Sequence, residues 1–97
     1  MALVGLGIAR FILGDYARAA RTLARGLELQ PSLVWAHRFL TAAAMQAGAR
    51  EEARRSLATL RHAFPDLTLD GFARSNALHA EAKARVLDGL ARAGLPR

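Results

Sequence analysis

Displacing the chain against itself by 34 residues aligns ten identical pairs over the 32 positions from Ala2/Ala36 to Leu33/Leu67. They are Ala2/Ala36, Leu6/Leu40, Ala9/Ala43, Gly14/Gly48, Ala19/Ala53, Arg21/Arg55, Leu23/Leu57, Ala24/Ala58, Pro31/Pro65 and Leu33/Leu67. The 97 residues include 22 alanines, 16 leucines and 13 arginines. In such a composition chance matches about one position in eight, or about four pairs. A period of this length marks a repeated supersecondary unit that cannot bury its apolar face alone and must stack on a neighbour.

The identities fall where a helix-turn-helix unit needs them. Gly14-Asp15 and Gly48-Ala49 punctuate two apolar-periodic stretches. Glycine after a helix accepts the left-handed backbone that ends it, and Asp15 is placed to cap the following helix. Ala19 and Ala53 are small residues for a close helix-helix approach, and Leu23 and Leu57, four residues on, supply buried bulk on the same face. Pro31 and Pro65 stop the second helix of each unit. Ala, Leu and Arg are good helix formers and strand formers are few. The expectation is an all-α chain with two units, about 1–33 and 34–67.

This layout resembles the tetratricopeptide repeat. The family pattern appears as Leu3, Leu6-Gly7, Arg10, Ala19, Leu23 and Pro31 in the first unit, and as His37, Leu40-Thr41, Ala44, Ala53, Leu57 and Pro65 in the second. The large aromatics of the first helix are replaced in both units, and Thr41 stands where the family has glycine; the second helices and the spacing carry the resemblance. It implies a right-handed helix-pair solenoid whose first helices line a concave groove. The groove-side positions would be Val4, Ile8, Phe11 and Ile12 in the first unit and Trp35, Arg38, Ala42 and Met45 in the second. Two readings of the oily first set compete. One is a groove that takes a partner's amphipathic helix or extended peptide. The other, which is favoured, is packing against a preceding repeat or a second copy, because a solenoid end without a polar cap exposes core. The start at a first helix suggests the C-terminal part of a longer protein or a self-associating one. Trp35 is expected to pack between repeats, and Arg38 to be a solvated arginine able to engage a carboxylate. Some members of the family hold a peptide's terminal carboxylate with lysines and asparagines; Lys83 and Asn76, the only ones here, both lie in the tail.

The period breaks after Pro65. Thr68 is a plausible N-cap for a helix over 69–74, Ser75-Asn76 reads as a capping loop, and 79–93 carries a helical stripe at Ala82, Val86, Leu87, Leu90 and Ala93, ended by Gly94 and Pro96. Residues 68–97 are therefore expected to form a helical cap on the last repeat. FPDLTLDGF followed by VLDGLARAGLP resembles the end of the tetratricopeptide region in a group of bacterial adenylate cyclases. That implies a regulatory module without the cyclase domain.

A formal charge of +6 raises nucleic acid as the rival partner. Arg18, Arg21 and Arg25 share one helix face, and Arg54, Arg55 and Arg61 belong to the matching helix of the second unit. No stacking aromatics are interleaved with them, and Glu28, Glu51 and Glu52 dilute the ridge. A basic helical nucleic-acid-binding domain is thus the alternative to a protein-binding or self-associating module. His37, His62 and His79 lie in separate helices without ligand spacing, and there is no cysteine. Neither catalysis, cofactor, metal nor small-molecule substrate is expected. The longest uncharged runs are far short of the roughly 20 residues of a membrane span, and no charge precedes the first apolar run as in a signal peptide. A cytoplasmic location is the expectation.

Overall fold

A computed structural model describes residues 2–75 and 78–97, with Ser75 described by its backbone alone. Among the described residues there are six α-helices and no strand: α1 (Leu3–Ile12), α2 (Tyr16–Leu29), α3 (His37–Gln46), α4 (Arg50–Ala63), α5 (Leu69–Ser75) and α6 (Ala80–Ala93). A single 3-10 turn, Val34–Ala36, precedes α3.

The two turns inside the units are copies of each other. Gly14 and Gly48 both sit at φ +84°, in the left-handed region that favours glycine. The next N–H reaches back five residues in each case, from Asp15 to Arg10 O (2.9 Å) and from Ala49 to Ala44 O (2.8 Å). This satisfies a carbonyl at the end of the first helix. Asp15 does take the N-cap position of α2 but makes no capping bond. Its carboxylate lies 3.7 Å from Arg18 Nε instead. Both second helices end two residues before proline, with the intervening C-caps Gln30 at φ −134° and Phe64 at φ −128°. The proline ring disfavours helical backbone at the preceding residue.

Small residues set the spacing within the first pair. A Cβ on Gly7 would meet Leu23 Cδ2 at 2.7 Å, and one on Gly26 would meet Val4 at 3.0 Å. In the second unit these positions hold Thr41 and Leu60. Thr41 is buried and donates to Ser56 Oγ at 3.0 Å, so a hydroxyl pair replaces the close glycine contact. Ala19 and Ala53 are both fully buried, as the close-approach position requires.

α2 buries six residues because it is sandwiched between α1 and α3; α4 buries four, with one face packed. The outward face of α4 carries Arg54, Ala58 and Arg61, all exposed. The stack therefore ends in a polar surface that needs no cover.

The tail lies against the last repeat, chiefly on its first helix. α5 begins with the expected cap, Gly71 N–H donating to Thr68 Oγ1 at 3.0 Å. The Ser75-Asn76 cap falls outside the described residues, apart from the Ser75 backbone that ends α5. α6 then packs chiefly on α3 and touches α4 only at its edge. Gly89 faces Ala42 so closely that an added Cβ would lie 2.6 Å from Ala42 Cβ. Gly94, at φ +117°, closes α6 with Leu95 N–H on Leu90 O (3.0 Å). The last residues fold back onto α5 through Leu69 N–H to Pro96 O (2.9 Å) and Asp70 N–H to Arg97 O (3.2 Å). Apolar surface on α3 is what draws the tail inward, since the free face of α4 offers arginines.

Replacing Gly89 with valine is expected to lower unfolding stability by about 1–3 kcal/mol through overpacking on Ala42. Gly5→Ala, whose methyl meets nothing within 4 Å, should raise it by about 0.5–1 kcal/mol by removing backbone freedom inside a helix. Urea denaturation followed by circular dichroism measures both.

Candidate docking surfaces

α6 lies over α3 and reaches the end of α1 through Arg85. Of the eight groove-side positions expected from the repeat pattern, Val4, Phe11, Ala42 and Met45 are buried. Ile8 and Arg38 are half-buried, and only Ile12 (45% exposed) and Trp35 (40%) remain open. Two readings were open for the oily first set, a partner's groove and the favoured packing against a preceding repeat or a second copy; Val4 and Phe11 lie instead in the chain's own core. Phe11 packs edge-on against Tyr16 and Phe39, at ring-centroid distances of 5.4 and 5.9 Å. Trp35, expected to pack between the repeats, keeps 40% of its surface exposed. It sits in the 3-10 turn ahead of α3, which touches both α2 and α4.

Two arginines hold this arrangement. Arg38, expected to be solvated, is half-buried; its guanidinium lies 5.5 Å from the ring centroid of Phe64 and 5.3 Å from that of Phe72, which ties α3 to the start of the tail. Burial lowers its pKa from the ordinary value. Arg85 of α6 reaches the C-terminal end of α1, donating to Ile12 O (2.9 Å), Phe11 O (3.2 Å) and the Tyr16 hydroxyl (3.2 Å). Its guanidinium also lies 5.6 Å from the Phe11 ring. A cation at a helix C-terminus satisfies orphan carbonyls and opposes the helix dipole. Further along, Gln46 Nε2 donates to Asp88 at 3.0 Å. Nothing in the spacing of the arginines distinguished Arg85. Gly89 did carry a signal, since a glycine inside a helix is costly unless a neighbour needs the space.

On the outer side, Leu6 and Ala9 of α1 with its N-cap Ala2 and C-cap Leu13 follow at i, i+4, i+7 and i+11, the spacing of a single helix stripe. Ala2 and Ala9 are exposed, Leu6 is half-buried and Leu13 is 83% exposed. The equivalents in α3 and the turn before it are Ala36, Leu40 and Ala43, identical residues at 0%, 5% and 0% exposure. That second stripe faces α2, where Leu40 shares a cleft wall with Ala24 and Leu27. The same three side chains are core in one repeat and exposed or half-buried in the other.

The cleft between the repeats, about 300 Å³, is rimmed by Glu28, Glu52 and Arg55 and contains His37 and Ser56. His37 Nδ1 lies 2.7 Å from Ser56 Oγ, which also accepts from Thr41 and donates to His37 O at 3.3 Å. With its one proton committed to that carbonyl, Ser56 fits a ring that donates from Nδ1. The pair clasps α3 to α4. Burial holds the His37 pKa below its usual 6.5.

A model of the tetratricopeptide-repeat family matches residues 11–86. The chain belongs to that family. No curated protein and no solved structure matches the chain significantly. Tetratricopeptide repeats generally mediate protein–protein interaction and are typically not enzymes. Among the described residues no helix is long and apolar enough to cross a membrane.

The His37 environment sets a pH response. Its native pKa is lowered, so the unfolded chain binds the proton more readily. The contribution is complete above about pH 7.5 and is lost as pH falls through the native value. The melting temperature is expected to fall between pH 7.5 and 5.5. His37→Asn, which keeps a donor without the titration, should abolish that part of the fall in thermal melts across the range.

Proposed function

We propose that this tetratricopeptide chain is a protein–protein interaction module whose docking surface is the outer stripe of α1 rather than the concave groove. The carrying observation is the unequal burial of identical residues: Ala36, Leu40 and Ala43 are buried against α2, whereas Ala2 and Ala9 are exposed and Leu6 is half-buried, with no second helix over them among the described residues. What α2 does for α3 describes the chemistry that α1 would accept, a helix with alanines and leucines on its contacting face. Of the positions expected to bind a partner, Ile12 flanks this stripe. The others serve the core or the tail, apart from exposed Trp35. Burying apolar side chains supplies the affinity. The arginines of α2 and α4 set the charge of the surroundings and the approach of a partner. The resemblance of the tail to cyclase-associated repeat regions supports a regulatory protein of that kind as its setting.

A photoreactive benzoyl-phenylalanine at Leu13 is expected to cross-link to a polypeptide in cells expressing the chain. The same group at Ala58, on the arginine-bearing face of α4, should not. Cross-linking from position 58 alone would move the docking surface to α4. Salt-sensitive oligonucleotide binding tighter than about 1 µM in anisotropy titrations would replace the protein partner with nucleic acid.

A further inference from the structure

The order of side chains along the α1 stripe specifies what fits it. From the N-terminus it reads Ala2, Leu6, Ala9, Leu13: small, large, small, large. About a two-fold axis midway between Leu6 and Ala9, an antiparallel second copy brings Leu13 opposite Ala2 and Leu6 opposite Ala9, each twice. Every leucine then meets an alanine, the alternation that lets facing layers interdigitate. A parallel pairing would set leucine on leucine and leave alanine opposite alanine. We infer that α1 pairs antiparallel with α1 of a second copy of this chain in a closed two-fold dimer. The inference rests on the reading of α1 as the docking surface and names its occupant.

Charge points the same way. In a chain of formal charge +6, α2 exposes Arg18, Arg21 and Arg25, α4 exposes Arg50, Arg54, Arg55 and Arg61, and α6 exposes Arg92. The one charged residue of α1, Arg10, is half-buried and turned to α2, where its Nη1 donates to Thr22 Oγ1 at 2.7 Å. Two copies meeting on α1 bring no arginines face to face.

Head-to-tail stacking, the way α3 follows α2, fails on the same ground. There the stripe would cover Arg54, Ala58 and Arg61 of α4, which stand 34 residues after Ala20, Ala24 and Leu27 of α2. Two guanidinium groups would be buried on a stripe that holds no carboxylate, which is costly.

The ends of α1 are also complementary. At its start a hollow of about 380 Å³ is lined by Ala2, Leu3, Gly26, Leu29 and Gln30, with Leu29 59% exposed. At its other end Leu13 stands out of the surface. The two-fold delivers each Leu13 to the hollow end of the partner, as an isologous interface requires. A single helix of this length, roughly 15 Å, gives a contact at the small end of stable interfaces and hence a concentration-dependent dimer.

Sedimentation equilibrium between about 5 and 500 µM, a range chosen for a small interface, should show the weight-average mass rising from 10.4 kDa toward twice that value and no further. Ala9→Glu, at an exposed position, should keep the thermal melt of the dilute protein and weaken the dimer at least about a hundredfold by burying unpaired charge.

The absence of cysteine makes single-cysteine variants clean reporters of geometry. Ala2→Cys and Leu13→Cys proteins should form a disulfide when mixed and not when oxidised separately. In the antiparallel pair, like positions lie roughly 16 Å apart along the axis, beyond the ~7 Å reach of a disulfide. Cross-linking of each variant with itself would mean parallel pairing, and a Leu13→Cys/Ala58→Cys product would mean head-to-tail stacking; either overturns the inference. A monomer at 500 µM overturns it as well. If position 13 of that monomer still cross-links to a different polypeptide, the docking surface stands and only self-pairing falls. If it cross-links to nothing, both fall.

Discussion

Gly89 and Ala42 meet almost backbone to backbone, and the course of the C-terminal third of the chain follows from that contact. With α6 seated there, Arg85 reaches the end of α1, Asp88 reaches Gln46, and Leu95 is buried where the chain turns back to α5. A longer side chain at either position would push α6 away from α3. Positions that line a groove in a bare pair of repeats thereby become core. Phe11 and Met45 look like a docking surface only while the tail is left out. The surface that remains for a partner is the one the tail does not reach, the outer stripe of α1.

The arginines divide by environment. Arg38 and Arg85 lie against aromatic rings, the first clasped by Phe64 and Phe72 and the second over Phe11. A guanidinium is flat and weakly hydrated, so it can serve as a packing element where a lysine would be costly. Most of the others are solvated on α2 and α4. Several have carboxylate neighbours three residues away, such as Arg25 with Glu28 and Arg54 with Glu51, both at 3.1 Å. Exposed pairs of this kind contribute little to stability and chiefly break up the positive field. The net +6 is thus spread over the flanks of the stack and absent from its first outer face.

Local features were legible because their causes are local. Gly14 and Gly48 end helices through their own backbone freedom, and Pro31 and Pro65 do so through their own rings. Thr68 caps α5 through a bond three residues long. Asp15 was legible in position but not in action, because its carboxylate had both the α2 N-terminus and Arg18 within reach and lies toward the arginine. The groove was misread for a different reason. Phe11 and Met45 are apolar whether they face a partner or the chain's own tail, and periodicity names a face without naming what covers it.

From the 34-residue period and its glycines, alanines and prolines, the sequence by itself determined two helix pairs stacked in register, since those residues act within a turn or a helix of their own position. It also determined the small-large order of Ala2, Leu6, Ala9 and Leu13. Only the tertiary structure decided that the tail lies over α3 and not on the end of α4. That choice turns on contacts between residues some 40 to 70 positions apart, Ala42 with Gly89 and Ile12 with Arg85. No local preference encodes them, because they exist only once α1 and α3 are already side by side.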